Sequence, residues 1–453
     1  MVRSPAAFWR RRRLAEALFR PFRGWRYDTT RAGDLGALAA PPYDVIAPSD
    51  VNRLLEANSH NVIRLELPSA VDAADPYGSA SKTWNEWTLN GFLRRDEAAH
   101  FYLVRHTFTL GGVRTSRFEI LGAIRLAQWE QGAVLPHEHT HEAAKRDRLM
   151  LMNALHANIS PIMALYEDDD GAIRMLLRAI SSRPPDSSFT DLAGDDYDVW
   201  HVSDSGEAGA IRLGVAGPLF VADGHHRYET ALTYLGQQPD EANDGEHAPG
   251  YILAALTSIE DPGLVSLPYH RLIQGLPDDA RARLMRQVET YFRAEEITIG
   301  GLSDTEAAER FASAMKAQNA PMMALIEPPG DVLKLLRPLE PGIFEGLLTG
   351  ESEAWSRLAP CVFLDVLLTH GVGADQHEAE TRGWLSYPRD AAEAIEAVRA
   401  GGCDAGFLLQ AVSMADMTEA AEAGERLPQK STYFFPKVAT GIVLNSLAGR
   451  LED

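Results

Sequence analysis

The residues most able to do chemistry in this chain stand together at 223–227, which reads Asp-Gly-His-His-Arg. An apolar run at 219–222 precedes them, and an Asp-Gly pair is a typical turn signal. Apolar residues then recur at helical spacing, at positions 228, 231, 232 and 235. This pattern predicts a buried strand, a tight turn and a helix that starts at the histidines, with Asp223 or Gly224 near its N-cap and Gly236 just past its end.

His225, His226 and Arg227 fall in the first turn of that predicted helix. The backbone N–H groups and the dipole of a helix start favour an anion, whereas cationic side chains oppose the dipole by up to about 1 kcal/mol and need a compensating partner. Ordinary solvated residues at a helix start are the alternative interpretation. We predict an anion site that uses Gly224 and Arg227, and we take Asp223, His225 and His226 as catalytic candidates.

A histidine-rich segment at 135–142 forms the second group of interest. His137, His139 and His141 alternate as they would on one face of an extended chain, so they could bind a metal. Thr140 is also a good N-cap, and a helix that begins there would remove His141 from the alternation. Both interpretations stay open, and we assign no metal ligand.

Lys145 and Arg148 are three residues apart on the helix that Thr140 would begin. They share one face and could hold a second phosphate; in the alternative interpretation the helix is solvated and Lys145 pairs with Glu142. Glu138 lies between two histidines, and we choose it as the general base because a carboxylate can accept a hydroxyl or water proton. We expect this cluster to face the same pocket as the 223–227 motif, since an acidic protein concentrates cations in both places.

Two proline-flanked segments supply further candidates. Tyr43 follows Pro41-Pro42, which is a rigid turn or the rim of a pocket. The stretch 427–437 combines Lys430, Ser431 and Lys437 with three aromatic residues, so it is either a phosphate-contacting loop or a rigid packed crossing. We count Tyr43 and these three polar residues among the phosphate- and substrate-binding candidates.

The composition describes an ordinary globular protein that is strongly acidic. The 453 residues are too many for one simple core, and a formal net charge of −21 repels polyphosphate, so we expect no nucleic-acid partner. Two cysteines cannot form a disulfide framework, and no apolar run reaches the roughly 18 residues of a membrane span. We therefore expect a cytoplasmic protein without a membrane partner, and we leave its oligomeric state open.

Helical and strand-like patterns alternate along the chain, which predicts an α+β (mixed α/β) fold. Gly111-Gly112 predicts a tight hairpin between strands at 101–110 and 113–121, and alternation over 61–67 predicts another strand. Gly275-Leu276-Pro277 marks a domain boundary. We expect a loose N-terminal extension at 1–19, a domain with the catalytic core at 20–275 and a C-terminal α/β domain at 276–453.

Several motifs of this sequence together resemble the bacterial domain-of-unknown-function 1015 family. They are 20–24 (RPFRG), 40–46 (APPYDVI), 136–138 (PHE) with 145–148 (KRDR), 157–161 (ANISP), 222–230 (ADGHHRYET) and 430–437 (KSTYFFPK). The match covers nearly the whole chain from Arg20. Separately, 223–227 is similar to the strand-turn-helix phosphate motif of the ParB and sulfiredoxin superfamily, and most similar to that of its ADP-dependent free-serine kinases. Sulfiredoxins carry a catalytic cysteine in this turn, and this chain has none there.

These resemblances imply a ParB/sulfiredoxin-like phosphate-binding core and an enzyme of serine metabolism. The expected reaction moves a phosphoryl group to, or removes one from, a small hydroxy amino acid, with serine and phosphoserine as first candidates. ADP or ATP and Mg²⁺ are the candidate cofactors, and a phosphorylated metabolite or nucleotide is the expected partner. One alternative is a ParB-like nucleotide switch without turnover. The other is a metal-dependent hydrolase that uses the three clustered histidines and either His225 or His226.

Overall fold

The computed structural model describes residues 18–140, 142–316, 322–350 and 352–452. His141, the side chain of Glu142 and most of the predicted N-terminal extension lie outside the described residues. Strands and helices are both abundant, so the mixed α/β class predicted from the sequence is confirmed. The ParB/sulfiredoxin-like character of the core stays a prediction.

The described residues fall into two compact units. The first is drawn from Met1–Pro136, Thr140–Val265 and Pro436–Asp453, and the second from His137–His139 and Ser266–Phe435. Each unit is discontinuous in sequence, because the C-terminal segment belongs to the first unit and three residues of the histidine-rich segment belong to the second. The domain division expected from the sequence stays a prediction.

Most of the described strands are short, and two long ones form a hairpin. In chain order they are β1 (Phe19–Arg20), β2 (Trp25–Tyr27), β3 (Leu93–Arg95), β4 (Phe101–Leu110), β5 (Val113–Arg125), β6 (Val134–Leu135), β7 (Ala157–Asn158), β8 (Ile162–Tyr166), β9 (Ser187–Thr190), β10 (Asp196–Val202), β11 (Leu219–Asp223), β12 (Tyr251–Ser258), β13 (Val265–Leu267), β14 (Arg271–Ile273), β15 (Phe292–Thr298), β16 (Met323–Ile326), β17 (Val332–Pro338), β18 (Leu385–Ser386), β19 (Ala405–Leu409), β20 (Tyr433–Phe435) and β21 (Asn445–Ser446).

The described helices range from a single turn to four turns. In chain order they are α1 (Thr29–Ala32), α2 (Leu35–Leu38), α3 (Pro48–Ala57), α4 (Ile63–Glu66), α5 (Pro76–Leu89), α6 (Glu142–Leu155), α7 (Ala172–Ser181), α8 (Ser205–Gly214), α9 (His225–Leu235), α10 (Asp278–Tyr291), α11 (Asp304–Met315), α12 (Glu353–Arg357), α13 (Ala359–Val362), α14 (Gln376–Thr381), α15 (Ala391–Arg399) and α16 (Met414–Glu422). Phe363–Val372 is a π-helical segment, and the 3₁₀ turns are Tyr43–Val45, Pro68–Ala70, Trp129–Gln131, Asp240–Asn243 and Ala248–Gly250. No helix among them is long and apolar enough to span a membrane.

The described strands of the first unit build a nine-stranded mixed sheet in the order β6-β11-β8-β12-β5-β4-β10-β9, with β1 beside β5. The pairs β6/β11 and β8/β12 are parallel, and the other neighbours are antiparallel. The predicted hairpin is confirmed, because Leu110 pairs with Val113 around Gly111 and Gly112, which both have positive φ. Helix α9 packs against the sheet through Tyr228, Ala231 and Tyr234, which belong to its buried core.

The second unit contains a six-stranded antiparallel sheet in the order β15-β17-β16-β19-β14-β18 among its described residues. Alternate residues of β16 face two different cores, because Met323 and Leu325 pack with α10 and the π-helical segment. Ala324 and Ile326 pack with α11 and α15 on the other face. The inner strands β16 and β19, which are buried along their whole length, are therefore covered on both faces.

The strand expected at 61–67 is wrong, since this segment forms the single-turn helix α4. The buried side chain of Asn61 explains the turn. Its Oδ1 accepts from the Ile63 N–H at 2.9 Å, and its Nδ2 donates to the carbonyls of Ala37 and Ala39. A strand would bury alternate residues, whereas 61–63, 65 and 66 are all buried here. The turn places Glu66 in the interior of the first unit.

Candidate functional site

The 223–227 motif folds as the strand, turn and helix that the sequence predicts. Strand β11 ends at Asp223, and helix α9 begins at His225 with Gly224 as its N-cap and Gly236 as its C-cap. The N-cap residue is a glycine and therefore has no side chain that could cap the first turn. The N–H groups of the first turn have no acceptor within the helix, and they point out of the helix start at Gly224.

Gly224 is required by backbone conformation and by space. Its φ of 94° and ψ of 28° lie in the left-handed region, which disfavours any residue with a Cβ. A Cβ added there would lie 2.8 Å from Cγ2 of Ile162 and 3.0 Å from Nε of Arg227. The glycine thus allows Arg227 to fold back across the turn.

Asp223 lies between two cations. Its Oδ2 accepts from Nη2 of Arg227 at 2.7 Å, and its Oδ1 is paired with Nζ of Lys437. Arg227 also donates through Nη1 to the carbonyl of Pro161 at 2.5 Å. The sequence predicts that Arg227 needs a negative partner to offset its unfavourable interaction with the helix dipole. That partner is the Asp223 carboxylate, a group of the protein itself.

The charge state of Asp223 follows from this arrangement. Burial by itself would raise the pKa of the Asp223 carboxyl, but the charges of Lys437 and Arg227 outweigh it and hold the pKa well below its ordinary range. Burial likewise works to lower the pKa of Arg227, and the nearby Asp223 carboxylate reverses that effect and raises it. Both groups are consequently charged at neutral pH.

Three more residues join this centre from the N-terminal part of the chain and from α6. The guanidinium of Arg148 lies 4.2 Å from the ring centroid of Tyr43 and donates through Nη1 to the Glu66 carbonyl at 2.8 Å. The side chain of Glu66 accepts from the Tyr43 N–H at 3.1 Å. Burial raises the pKa of Tyr43 to about 12, although Arg227 and Arg148 both act to lower it.

Glu66 is the most deeply buried carboxyl of this group, with 1% of its surface exposed. Burial raises the pKa of Glu66, and the charges of Arg148 and Arg227 offset the shift only in part. The hydroxyl of Ser160 also bonds to it. We call the set formed by Tyr43, Glu66, Arg148, Asp223, Arg227 and Lys437 the Asp223 cluster.

Lys145 takes a different partner from Arg148 although both lie on α6. Its Nζ is 3.1 Å from Oε2 of Glu229 on α9, and Glu229 also accepts from Thr140 and Trp129. Burial works to raise the pKa of Glu229, but these donors lower it. Lys145 therefore ties α6 to α9, and the second phosphate site at Lys145 and Arg148 stays a prediction.

Glu138, Lys430 and Ser431 belong to the second unit. The Oε1 atom of Glu138 accepts from the N–H groups of Ser431 and Thr432, each at 3.2 Å. Lys430 has a left-handed backbone with φ of 61°, and its carbonyl accepts from Nη2 of Arg271 at 2.9 Å. The Glu138 carboxylate thus holds the loop that carries Lys430, and its role as a general base stays a prediction.

The alternative of a metal-dependent hydrolase is not supported by a metal-binding cluster among the described residues. No group of three or more His, Cys, Asp or Glu residues there is arranged to hold a metal ion. His137 instead bonds through Nε2 to the Thr432 hydroxyl at 2.8 Å, and the carbonyl of His139 accepts from Gln429. His225 and His226 lie at the start of α9, buried and half-buried respectively.

Sequence reasoning missed Glu66, Ser160 and the Pro161 carbonyl. Glu66 was not recognised as a buried site residue, because the alternating apolar residues around it indicate a strand, in which a charged residue faces solvent. Ser160 and Pro161 stand in the 157–161 motif, so that motif was the available signal. Nothing local to either segment shows that it packs beside Arg227.

A family model described as "Protein of unknown function (DUF1015)" matches residues 19–347. The chain belongs to the DUF1015 family. No curated protein matches it.

Solved structures similar to this DUF1015 protein are distant. A free serine kinase variant in complex with ADP is 13% identical, with a TM-score of 0.34, and the match covers 66% of this chain and 83% of the other. SbnI from Staphylococcus aureus, with a C-terminal truncation, is 12% identical at a TM-score of 0.37, covering 71% and 86%. A conserved hypothetical protein from Pyrococcus furiosus is 14% identical at 0.32, covering 67% and 90%.

We predict that Gly224→Ala destabilises the protein by about 1–3 kcal/mol, because a left-handed alanine is strained and its Cβ displaces Arg227. Urea unfolding measures the change. The matched control is Gly209→Ala in the middle of α8, where the added Cβ meets nothing within 4 Å beyond its chain neighbours and its own helix backbone, and we expect it to stabilise by up to about 1 kcal/mol. Equal effects of the two substitutions would contradict the role assigned to Gly224.

Glu66 and Asp223 should affect the pH dependence of stability in opposite directions. The pKa of Glu66 is raised in the folded state, so its contribution is present below about pH 4.3 and is lost as pH rises through the folded value. The pKa of Asp223 is lowered, so its contribution is present above about pH 3.9 and is lost as pH falls toward the folded value.

Glu66→Gln should therefore gain stability relative to the parent as pH rises above about 4.3, whereas Asp223→Asn should lose stability relative to the parent as pH rises toward about 3.9 from lower values. Urea unfolding at a series of pH values measures both differences. Parallel slopes for the two variants would show that their environments are not opposed as the contacts indicate.

Proposed function

We propose that this protein is a phosphoryl-transfer enzyme whose Asp223 cluster binds the phosphate of a nucleotide or of a phosphorylated hydroxy amino acid. Serine and phosphoserine are the proposed substrate pair, and ADP or ATP is the proposed nucleotide. These ligands come from the resemblance of the 223–227 motif to ADP-dependent free-serine kinases. A phosphohydrolase that acts on phosphoserine would use the same cluster.

One observation carries the proposal. Arg227 and Lys437 come from distant parts of the chain and meet at Asp223 just before α9, and Arg148 lies over the Tyr43 ring, whose pKa both arginines act to lower. Arg148 and Arg227 are 7% and 8% exposed, and the side chain of Lys437 is 8% exposed. Withdrawing a cation from water costs several kcal/mol, so a fold gains nothing in stability by gathering three of them. A bound phosphate explains why these three cations are buried in one region of the unit.

Phosphoryl transfer needs little else from the protein than position and charge neutralisation. The guanidinium groups of Arg148 and Arg227 and the ammonium of Lys437 neutralise the phosphate oxygens, and the first-turn N–H groups of α9 add the positive end of the helix dipole. Asp223 holds Arg227 and Lys437 in place before the ligand arrives. The cations are therefore preorganised, and no reorganisation is needed during the reaction.

The transfer itself is a simple exchange of bonds. The serine hydroxyl oxygen attacks the terminal phosphorus of the donor, the bond from that phosphorus to the bridging oxygen breaks, and the hydroxyl proton passes to a base. The remaining nucleotide leaves with the bridging oxygen.

Mg²⁺ does not fit the Asp223 cluster as a protein-held ion. Both carboxylate oxygens of Asp223 are engaged, one by Lys437 and the other by Arg227. The carboxyl of Glu66 is buried beside Arg148 and has a raised pKa, which disfavours the ionised form that a hard cation needs. We therefore assign no step to the metal.

We predict that ADP, ATP or phosphoserine raises the melting temperature, because a ligand at 100 times its Kd adds about 2.7 kcal/mol. Arg227→Lys and Lys437→Met should each weaken the affinity of the ligand that binds by about tenfold or more, since a hydrogen bond to a charged group contributes about 1.5–3 kcal/mol. Calorimetric titration gives the affinities.

The control for this experiment is Arg105→Lys, which changes a half-exposed arginine paired with Asp198 in the same unit. It should leave the affinity unchanged. Wild-type affinity in both cluster variants would refute the anion site, and a melting temperature that responds to none of these compounds would refute the proposed ligands.

We further predict that Glu138→Gln abolishes formation of phosphoserine from serine and ADP or ATP, while the ligand-induced rise in melting temperature persists. The amide keeps the shape of the carboxylate and loses only the proton acceptor. Phosphorus NMR follows the product. Full turnover by this variant would assign the base to another residue, and ligand binding without turnover in the parent protein would favour the nucleotide switch.

A further inference from the structure

Arg117 lies on β5 with 1% of its surface exposed. Its Nη2 donates to the carbonyl of Pro436 at 2.6 Å, and its Nε donates to Oε1 of Glu119 at 2.8 Å. Pro436 is the residue before Lys437, so this buried guanidinium holds the chain immediately next to a member of the Asp223 cluster. All of these residues lie in the first unit.

The geometry of the peptide group explains why that contact matters. The carbonyl oxygen of Pro436 and the nitrogen of Lys437 belong to one planar unit, so a hydrogen bond that fixes the oxygen also orients the bond leading to the Cα of Lys437. The proline ring fixes φ on the other side of the carbonyl. The direction in which the Lys437 side chain leaves the backbone is then set by Arg117.

A second layer of charges keeps Arg117 in place. Glu119 is fully buried, and its Oε1 lies 2.7 Å from Nη2 of Arg117 and 3.5 Å from Nδ1 of His106. His106 Nε2 lies 3.0 Å from Oδ2 of Asp195. Burial would raise the pKa of Glu119, but Arg117 outweighs it and lowers the pKa to about 2. The carboxylate therefore stays charged and keeps its partner across the neutral range.

A buried ion pair of this kind is poorly explained by stability. Replacing one by well-packed apolar residues is often neutral or stabilising, because the cost of desolvation exceeds the attraction. What this pair does fix is the position of a backbone group, the Pro436 carbonyl beside Lys437.

We propose that Arg117 is a positioning residue that acts through Lys437: its hydrogen bond to the Pro436 carbonyl directs the lysine ammonium onto Asp223 and toward the phosphate site. This inference rests on the proposed function for the identity of the ligand. Its structural content, the placement of Lys437 by Arg117, is tested without any ligand.

The first experiment measures the reactivity of individual lysines toward acetic anhydride by mass spectrometry in the parent protein and in Arg117→Lys. The variant should raise the reactivity of Lys437 about tenfold, within the range expected for coupled neighbours. Lys145, which is partly buried in the same unit and paired with Glu229, serves as the internal control and should not change. General loosening of the fold would raise both lysines together.

The second experiment titrates inorganic pyrophosphate into the parent, Arg117→Lys, Lys437→Met and the double variant. Arg117→Lys should weaken binding about tenfold in the parent background and have no further effect once Lys437 is absent, because the two act through one contact. Additive losses would overturn the inference. A parent protein that does not bind pyrophosphate counts against the proposed function alone, and the labelling result still decides the role of Arg117.

Glu119→Gln provides the same test if Arg117→Lys does not fold. The amide keeps the shape of Glu119 and removes only the charge that anchors the guanidinium, so Lys437 should again become more reactive while Lys145 does not. Unchanged reactivity of Lys437 in either folded variant, or an equal rise at Lys145, would overturn the proposal.

Discussion

The ion pairs of Asp223 with Arg227 and Lys437 are the constraint on which the first unit's candidate site depends. Leaving one member of such a buried group unpaired costs about 3–5 kcal/mol, so each of the three holds the others in place. The carboxylate comes from the end of β11, one cation from the first turn of α9 and the other from the C-terminal segment. The C-terminal segment is thereby tied to β11, the strand beside the edge strand β6.

The rest of the unit can be understood from this requirement. Gly224 leaves room for Arg227 to reach back to Asp223, and the Pro161 carbonyl before β8 accepts its second hydrogen bond. Arg117 holds the backbone beside Lys437 from β5. Helix α6 is joined to α9 by Lys145 and Glu229, and from the same helix Arg148 stacks on Tyr43. Buried polar groups that are satisfied in this way specify one arrangement, because any other leaves charges without partners.

Local patterns made part of this site predictable. The strand, the turn and the helix around Gly224 depend on neighbours in sequence, as does the hairpin at Gly111 and Gly112, so both could be predicted, although the second hairpin strand runs to Arg125 and not to residue 121. The helix of Lys145 and Arg148 was also predictable, and Asp147, which pairs with Arg148, is its neighbour in sequence. Their contacts with Glu229 and Glu66 were not predictable, since these residues lie some 80 positions away. The segment 61–67 was misinterpreted because alternation is ambiguous over so few residues, and a buried Asn61 side chain decided the outcome.

The sequence by itself therefore determined the motifs that mark the family and the mixed α/β class. It also determined that Arg227 needs a negative partner, because a cation in the first turn of a helix opposes the dipole wherever the helix is placed. The tertiary structure decided which group meets that demand. Asp223 and Lys437 are 214 residues apart, and no local rule couples them. Their pairing, and the burial of Glu66 and Arg117 around it, follow from the sheet order and from the return of the C-terminal segment to the first unit. Such contacts are set by the packing of the whole unit and not by the pattern of any one segment.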